Sequence, residues 1–363
     1  MFDITFVFLS SLVLSIGAVF AVLKFSHHKK WYDRINERKI HEENIPRLGG
    51  MGFAFAFFIV IGSYSVFLVI NGANLLRFIP SAIAMFIILF SGAVDDFRPL
   101  SPLYKLLLQI IAVICIVTAD LLFSRIVYEG GGILTNLGFL AFPITIVWIL
   151  GLTNAFNFID GVDGLAGGVS AIIALTFGLL FFYFDGTSRA VLFCVSLLGV
   201  IIGFLIFNAP LPKAKIFMGD CGSQFLGFTL ALLPLMKNPN TTASLPLLYA
   251  AAIFLIPIFD TTAAVWRRLR DGRKIYEPDR LHLHHKLMNI GLNAKGVCAV
   301  IYSLQITLGA LVFIAVHFDG LVSLLVLMAA YLIALSFFTV VHYMNKAIMT
   351  KQNSEHGEQE RKR

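Results

Sequence analysis

Five short stretches of an otherwise apolar chain hold the side chains that could do chemistry. Asp95 and Asp96 are adjacent in GAVDDF. Two carboxylates ending an apolar helix cannot cheaply both be buried and charged, and a divalent cation or a shared proton would resolve their repulsion. Mg²⁺ takes carboxylate and phosphate oxygens together. The plain alternative is a solvated acidic turn beside Arg98. In NAFNFIDGVDGLAGG, Asn157, Asp160 and Asp163 follow at three-residue steps, which on a helix share one face. That stretch holds no Lys or Arg; the alternative is a glycine-rich junction with capping residues. FNAPLPKAKIFMGDCGSQF offers Asn208, Lys213, Lys215, Phe217, Asp220, Ser223 and Gln224. Asp220 is placed to open a helix near its positive end, as a cap, a metal ligand or both. WRRLRDGRKIYEPDRLHLHHKL carries Arg267, Arg268, Arg270, Arg280, Lys286, His282, His284 and His285. Its H-x-H-H pattern is weak evidence for zinc, whereas bases beside histidines suit a diphosphate; the arginines also serve as a positive anchor at a membrane face. Arg47, in RKIHEENIPRLGG, is a further phosphate contact or part of a structural loop.

Apolar elements must position these stretches. Of 363 residues, 58% are hydrophobic and 13% charged, against about 25% charged in soluble domains. Soluble, disordered and disulfide-stapled classes are excluded, and continuous rather than alternating apolar runs exclude a transmembrane β-barrel. Eleven spans are expected, near 4–24, 49–70, 78–94, 104–123, 138–153, 165–184, 190–207, 224–236, 244–265, 297–316 and 321–344, with Pro143 a source of kinking in the fifth. The expected fold is an all-α polytopic membrane protein with one catalytic domain over 1–344 and a charged, disordered tail over 345–363.

The loops that alternate across these spans hold 24 of the 28 Lys and Arg on one side. By the positive-inside rule that side is cytoplasmic, so the N-terminus lies outside and the C-terminus inside. The net charge of +7 therefore reports topology first; no nucleic-acid module is visible. The acids of the five stretches lie on the same face. No basic residue precedes the first apolar run, so it reads as a retained helix rather than a cleaved signal. Cys115, Cys194, Cys221 and Cys298 form no C-x-x-C pair and imply no disulfide framework.

IPRLGG, GAVDDF, NAFNFIDGVDGLAGG, KAKIFMGDCGS and PDRLHLHH, in that order, resemble the polyprenyl-phosphate N-acetylhexosamine-1-phosphate transferases of the glycosyltransferase 4 type. That superfamily includes the bacterial phospho-MurNAc-pentapeptide translocase and the eukaryotic dolichyl-phosphate GlcNAc-1-phosphate transferase. The PDRLHLHH form is similar to the undecaprenyl-phosphate GlcNAc-1-phosphate transferase subgroup. Leu283 interrupts the histidine run, which is continuous in the pentapeptide translocases. The resemblance implies that undecaprenyl phosphate attacks a UDP-N-acetylhexosamine, UDP-GlcNAc foremost, and UMP leaves. It implies Mg²⁺ as cofactor, with Mn²⁺ as a substitute, in a bacterial inner membrane, and it admits a homodimer.

By the same resemblance Asp220 is the metal ligand, and Asp95 and Asp96 are the catalytic pair. Asp160 and Asp163 are loop acids near the nucleotide. Phe217 stacks on uracil, with Asn157 and Asn208 nearby. Lys105 is the base that follows the aspartate pair. His282, His284 and His285, with Arg268 and Arg280, form the diphosphate and sugar loop.

Two other classes compete. An ion-coupled transporter would place ionisable residues near the bilayer midplane, and Asp260 in the ninth span is the main residue that fits. A CDP-alcohol phosphotransferase would need a D-G-x-x-A-R motif, which is absent.

Overall fold

The computed structural model describes residues 3–32, 45–72, 79–123, 125–127, 133–209, 213–236, 246–277, 279 and 281–361. Among these residues thirteen α-helices follow in order: α1 (Ile4–Lys29), α2 (Gly49–Ile70), α3 (Ile79–Phe97), α4 (Pro102–Thr118), α5 (Ala141–Ile159), α6 (Leu165–Asp185), α7 (Arg189–Asn208), α8 (Gly219–Leu232), α9 (Leu247–Ile253), α10 (Leu255–Arg270), α11 (Leu283–Asn289), α12 (Ala294–Ala315) and α13 (Gly320–Arg361). A two-stranded antiparallel ribbon, β1 (Arg125–Val127) with β2 (Ile133–Asn136), joins α4 to α5. The chain is a multi-pass membrane protein.

Among the described residues, eight helices are long and apolar enough to cross a membrane. They are α1, α2, α3, α5 with its leading 3₁₀ turn, α6, α7, α12 and α13. The other three expected spans correspond to less regular elements. α4 has 17 residues; α9 and α10 meet at an 84° bend; α8 has only 14 residues before a 3₁₀ turn at Leu233–Leu235. Pro143 lies in the first turn of α5, where a missing N–H costs no helical bond.

α8 stops just ahead of Pro234, which lacks the N–H to continue it, and it does not face lipid. Every residue from Cys221 to Leu232 is buried, wrapped by α2, α3, α5 and α6. Helices in a bilayer gain little from apolar burial against one another, so close van der Waals packing and small residues decide their contacts. Gly50 and Gly222 show this: a Cβ on Gly50 would lie 2.3 Å from the Gly222 Cα. Deeper in the bundle, Phe53 packs on Phe204 at 5.1 Å and Phe57 on Phe225 at 5.7 Å between ring centroids.

α13 runs 42 residues, about 63 Å at 1.5 Å per residue, twice a hydrocarbon core of about 30 Å. The tail expected to be disordered over 345–363 is therefore helical as far as Arg361. Its Lys, Gln and Glu are good helix formers, and extending an existing helix avoids the cost of nucleation.

Candidate active site

The face that gathers the polar stretches is built from helix ends. α2, α4, α6, α8 and α12 begin there; α3, α5, α7 and α10 end there. The centre is the start of α8. Lys105, in the first turn of α4, places its Nζ between the carboxylates of Asp95 and Asp220, 2.8 Å from the Asp220 Oδ2 and in contact with the Asp95 Oδ2. The other Asp95 oxygen accepts the Leu100 N–H at 2.7 Å and closes the α3–α4 turn. Arg47 lies 3.8 Å from both Asp96 and Asp220. Three carboxylates thus face two cations.

Asp95 and Asp96 have different fates. Asp96, with a fully buried side chain, accepts the backbone N–H of Asp220 at 2.8 Å and of Cys221 at 3.0 Å. α8 has no capping side chain of its own, and four amides at a helix start lack intrahelical partners. Asp96 supplies the cap from the neighbouring helix, and its charge meets the positive end of α8. Gly219, at φ +74°, makes the approach possible: a Cβ there would sit 2.2 Å from the Arg47 carbonyl oxygen and 2.6 Å from an Asp96 oxygen.

The backbone of 213–218 runs beside the entry to α2. Phe217 donates its N–H to the Pro46 carbonyl at 2.8 Å, and Gly49 and Gly50 donate to the carbonyls of Phe217 and Met218. This pairing fixes half-buried Phe217 next to Arg47 in the fold. Asn157 donates to the Ser223 hydroxyl at 3.0 Å, tying α5 to α8. One turn below the acids, Gln109 bonds both Asn154 and Gln224; Gln109 and Gln224 lie four residues after Lys105 and Asp220, on the same helix faces.

The 160–164 loop joins the same cluster. Asp160 closes α5. Burial first, then the nearby charges of Asp220, Asp96 and Asp163, push its carboxyl up to about 8, against the pull of Arg47. The loop backbone is clamped. The Gly164 carbonyl accepts from the Tyr302 hydroxyl at 2.6 Å, and the Asp163 carbonyl accepts from the Cys298 thiol at 3.4 Å. Asn208, expected near the nucleotide, commits both ends of its buried amide to backbone: it accepts from Gly164 N–H and donates to the Ile216 carbonyl, each at 2.9 Å.

The histidine loop packs onto this one. The His284 ring lies against exposed Gly161, where a Cβ would lie 2.3 Å from Nε2. Burial, reinforced by the His285 ring 4.2 Å away, pushes His284 down to about 3, so its imidazole is neutral. His282 meets Phe158 at 5.3 Å and pairs through Nδ1 with Asp260 at 2.9 Å. Arg268 is buried, donates to the Ile275 carbonyl at 2.7 Å and lies 5.5 Å over the Phe158 ring. Arg267 is committed to Asp279 at 2.6 Å. Arg280 lies outside the described residues.

Two groups therefore adjoin through His284 and Gly161. One holds Arg47, Asp95, Asp96, Lys105, Asp160 and Asp220; the other holds His282, His284 and Arg268. Among the described residues, no set of three or more His, Cys, Asp or Glu could hold a metal unaided. Sequence reasoning did not assign site roles to Asp260, Phe158, Tyr302 or Gln109. For Asp260 a signal existed, since an acid in an apolar helix is costly without a partner.

The glycosyl transferase family 4 profile matches residues 78–238, the segment from α3 to just past α8. The chain is 36% identical over 277 residues to the "Probable undecaprenyl-phosphate N-acetylglucosaminyl 1-phosphate transferase" of Bacillus subtilis (strain 168), covering 74% of this chain and 73% of that one. It is 30% identical over 273 residues to the "Undecaprenyl-phosphate alpha-N-acetylglucosaminyl 1-phosphate transferase" of Escherichia coli (strain K12), covering 72% and 70%. The chain belongs to glycosyl transferase family 4. A protein of Yersinia pestis with the same name as the Escherichia coli one is 29% identical over 293 residues, 78% of this chain and 76% of its own. Within this family 4 chain, the profile's segment contains Asp95, Asp96, Lys105, Asn157, Asp160, Asp163, Asn208, Phe217 and Asp220. Arg47 and the histidine loop lie outside that segment.

Proposed function

We propose that this protein transfers GlcNAc-1-phosphate from UDP-GlcNAc to undecaprenyl phosphate, releasing UMP, on the cytoplasmic face of a bacterial inner membrane. The named relatives support the reaction, and 24 of 28 basic residues on the site's face support the orientation. The observation that carries the reading is the Lys105 ammonium held between Asp95 and Asp220, with Arg47 alongside. Carboxylates outnumber cations here, where helix ends meet the membrane face, which suits a divalent cation that would in turn bind the diphosphate.

An oxygen of the lipid phosphate attacks the β-phosphorus. The bridge between the α- and β-phosphates breaks, and UMP leaves with the bridging oxygen. Transfer of this kind needs positioning and charge neutralisation above all. Lys105 and Arg47 supply positive charge to the diphosphate. Asp95, in contact with Lys105, orients the acceptor phosphate and takes any proton it still carries. Phe217 offers a ring to uracil beside Arg47, with Asn157, Asp160 and Asp163 along the nucleotide. His282, His285, Arg268 and Arg280 address the diphosphate and sugar; neutral His284 acts there by hydrogen bonding rather than by charge.

The donor set fits a magnesium ion. Mg²⁺ is held by one or two carboxylates, with substrate phosphate and water completing its shell. Asp220 and Asp95 already share a cation in the Lys105 ammonium. Asp220 would hold Mg²⁺, or Mn²⁺ in its place, with Asp95 close by. Bound there, the ion would neutralise diphosphate charge and ease departure of UMP.

The test is UMP release by the purified protein in detergent. UMP is expected only with UDP-GlcNAc, undecaprenyl phosphate and Mg²⁺ together, and EDTA should abolish it. Asp220→Asn should lower turnover by about 10²-fold or more while the protein stays folded, the scale of removing one group that stabilises developing charge. Absence of UMP from folded parent protein would overturn the reading. Parent-like turnover in Asp220→Asn would remove Asp220 from the centre.

A further inference from the structure

Asp260 lies in the first half of α10, only 2% exposed, in a stretch the sequence marks as membrane. A buried carboxylate there is tolerated only when paired and hydrogen-bonded. Both of its oxygens reach the histidine loop. Oδ1 accepts the Leu283 N–H at 2.8 Å, and Oδ2 lies 2.9 Å from the His282 Nδ1. His282 is the residue before α11 and provides no side-chain cap, so Asp260 caps α11 from another helix, as Asp96 caps α8. A carboxylate only accepts, so Nδ1 must carry the proton. Nε2 is then the ring nitrogen left without a partner among the described residues. Phe158 against the ring, and Arg268 over Phe158, fix its plane from the other side.

We propose that Asp260 is the positioning residue of the histidine loop: its carboxylate sets both the start of α11 and the ring of His282, so that Nε2 is the nitrogen presented to the diphosphate. The inference rests on the transferase reading for the identity of the diphosphate. It gives a role to a buried acid of the ninth expected span that the other site contacts leave aside.

Asp260→Asn keeps the shape and an acceptor for the Leu283 N–H, but its amide can donate to His282 Nδ1 and so favours the opposite tautomer. In UMP release, kcat should fall about 10²-fold, the size of a lost acid–base or orienting contact. The KM for UDP-GlcNAc should stay within about threefold, because the loss falls on the transition state. In a His282→Ala background the same change should have little further effect, since residues acting as one unit are not additive. Asp260→Glu, which keeps the charge, should recover part of the rate. Multiplying losses in the double variant, or parent-like kcat in Asp260→Asn, would overturn the proposal. So that it does not depend on one variant's folding, the ring ¹⁵N shifts of the parent, assigned by the signals lost in His282→Gln, read the proton directly. A protonated Nδ1 is expected, and an unprotonated Nδ1 would overturn the proposal. No UMP from the parent fails the transferase reading instead, and the ¹⁵N result still decides the role of Asp260 in setting the ring.

Discussion

At the scale of single residues, the site separates groups that face outward from groups that hold the frame. Lys105, Asp220 and Arg47 keep 25%, 20% and 35% of their side chains exposed, while Asp96 is wholly covered and capping α8. Asp160 has a measurable signature. Its carboxyl is pushed up to about 8, against about 3.9 for an ordinary aspartate. Between those values the folded protein keeps a proton that the unfolded chain has lost, so stability falls as pH rises through this window and levels off above it. Asparagine cannot ionise. In EDTA, the melting difference between Asp160→Asn and the parent should therefore shift in favour of the variant from about pH 5.5 to about pH 8.5. A difference that does not change with pH would take Asp160 out of its acidic surroundings.

At the scale of elements, short helices carry the functional groups and longer neighbours place them. α8 and α11 have no caps of their own, and Asp96 and Asp260 complete them from α3 and α10. The two halves of the site meet where His284 lies on Gly161. Gly161→Ala puts a methyl group into that ring, so the histidine loop must move while the bundle, built elsewhere, stays packed. UMP release should fall about 10²-fold, the scale of a misplacement of about 1 Å, with an unchanged gel-filtration profile. Full activity would mean that the two loops need not touch. The acids and histidines could be found in the sequence because charge is rare in this chain. The borrowed caps could not, because a cap from another helix has no fixed sequence spacing.

At the scale of the molecule, one face carries both the site and the positive charge. If that face is cytoplasmic, Thr187→Cys, between α6 and α7, should react with an impermeant maleimide on intact bacteria. Lys274→Cys, after α10, should react only once the membrane is opened; the reverse pattern would invert the topology. The membrane class, the order of spans, the shared face of the polar stretches and the family resemblance were all set by the amino-acid sequence, because apolar run lengths and basic-residue bias are local quantities. The tertiary structure decided that α8 is a short central helix and that α9 and α10 bend by 84°. It also decided how the adjacent acids divide their work: Asp95 meets Lys105, and Asp96 meets the amides of α8. Neighbouring positions on a helix point about 100° apart. What each then meets depends on which helix lies in that direction, and only packing determines that.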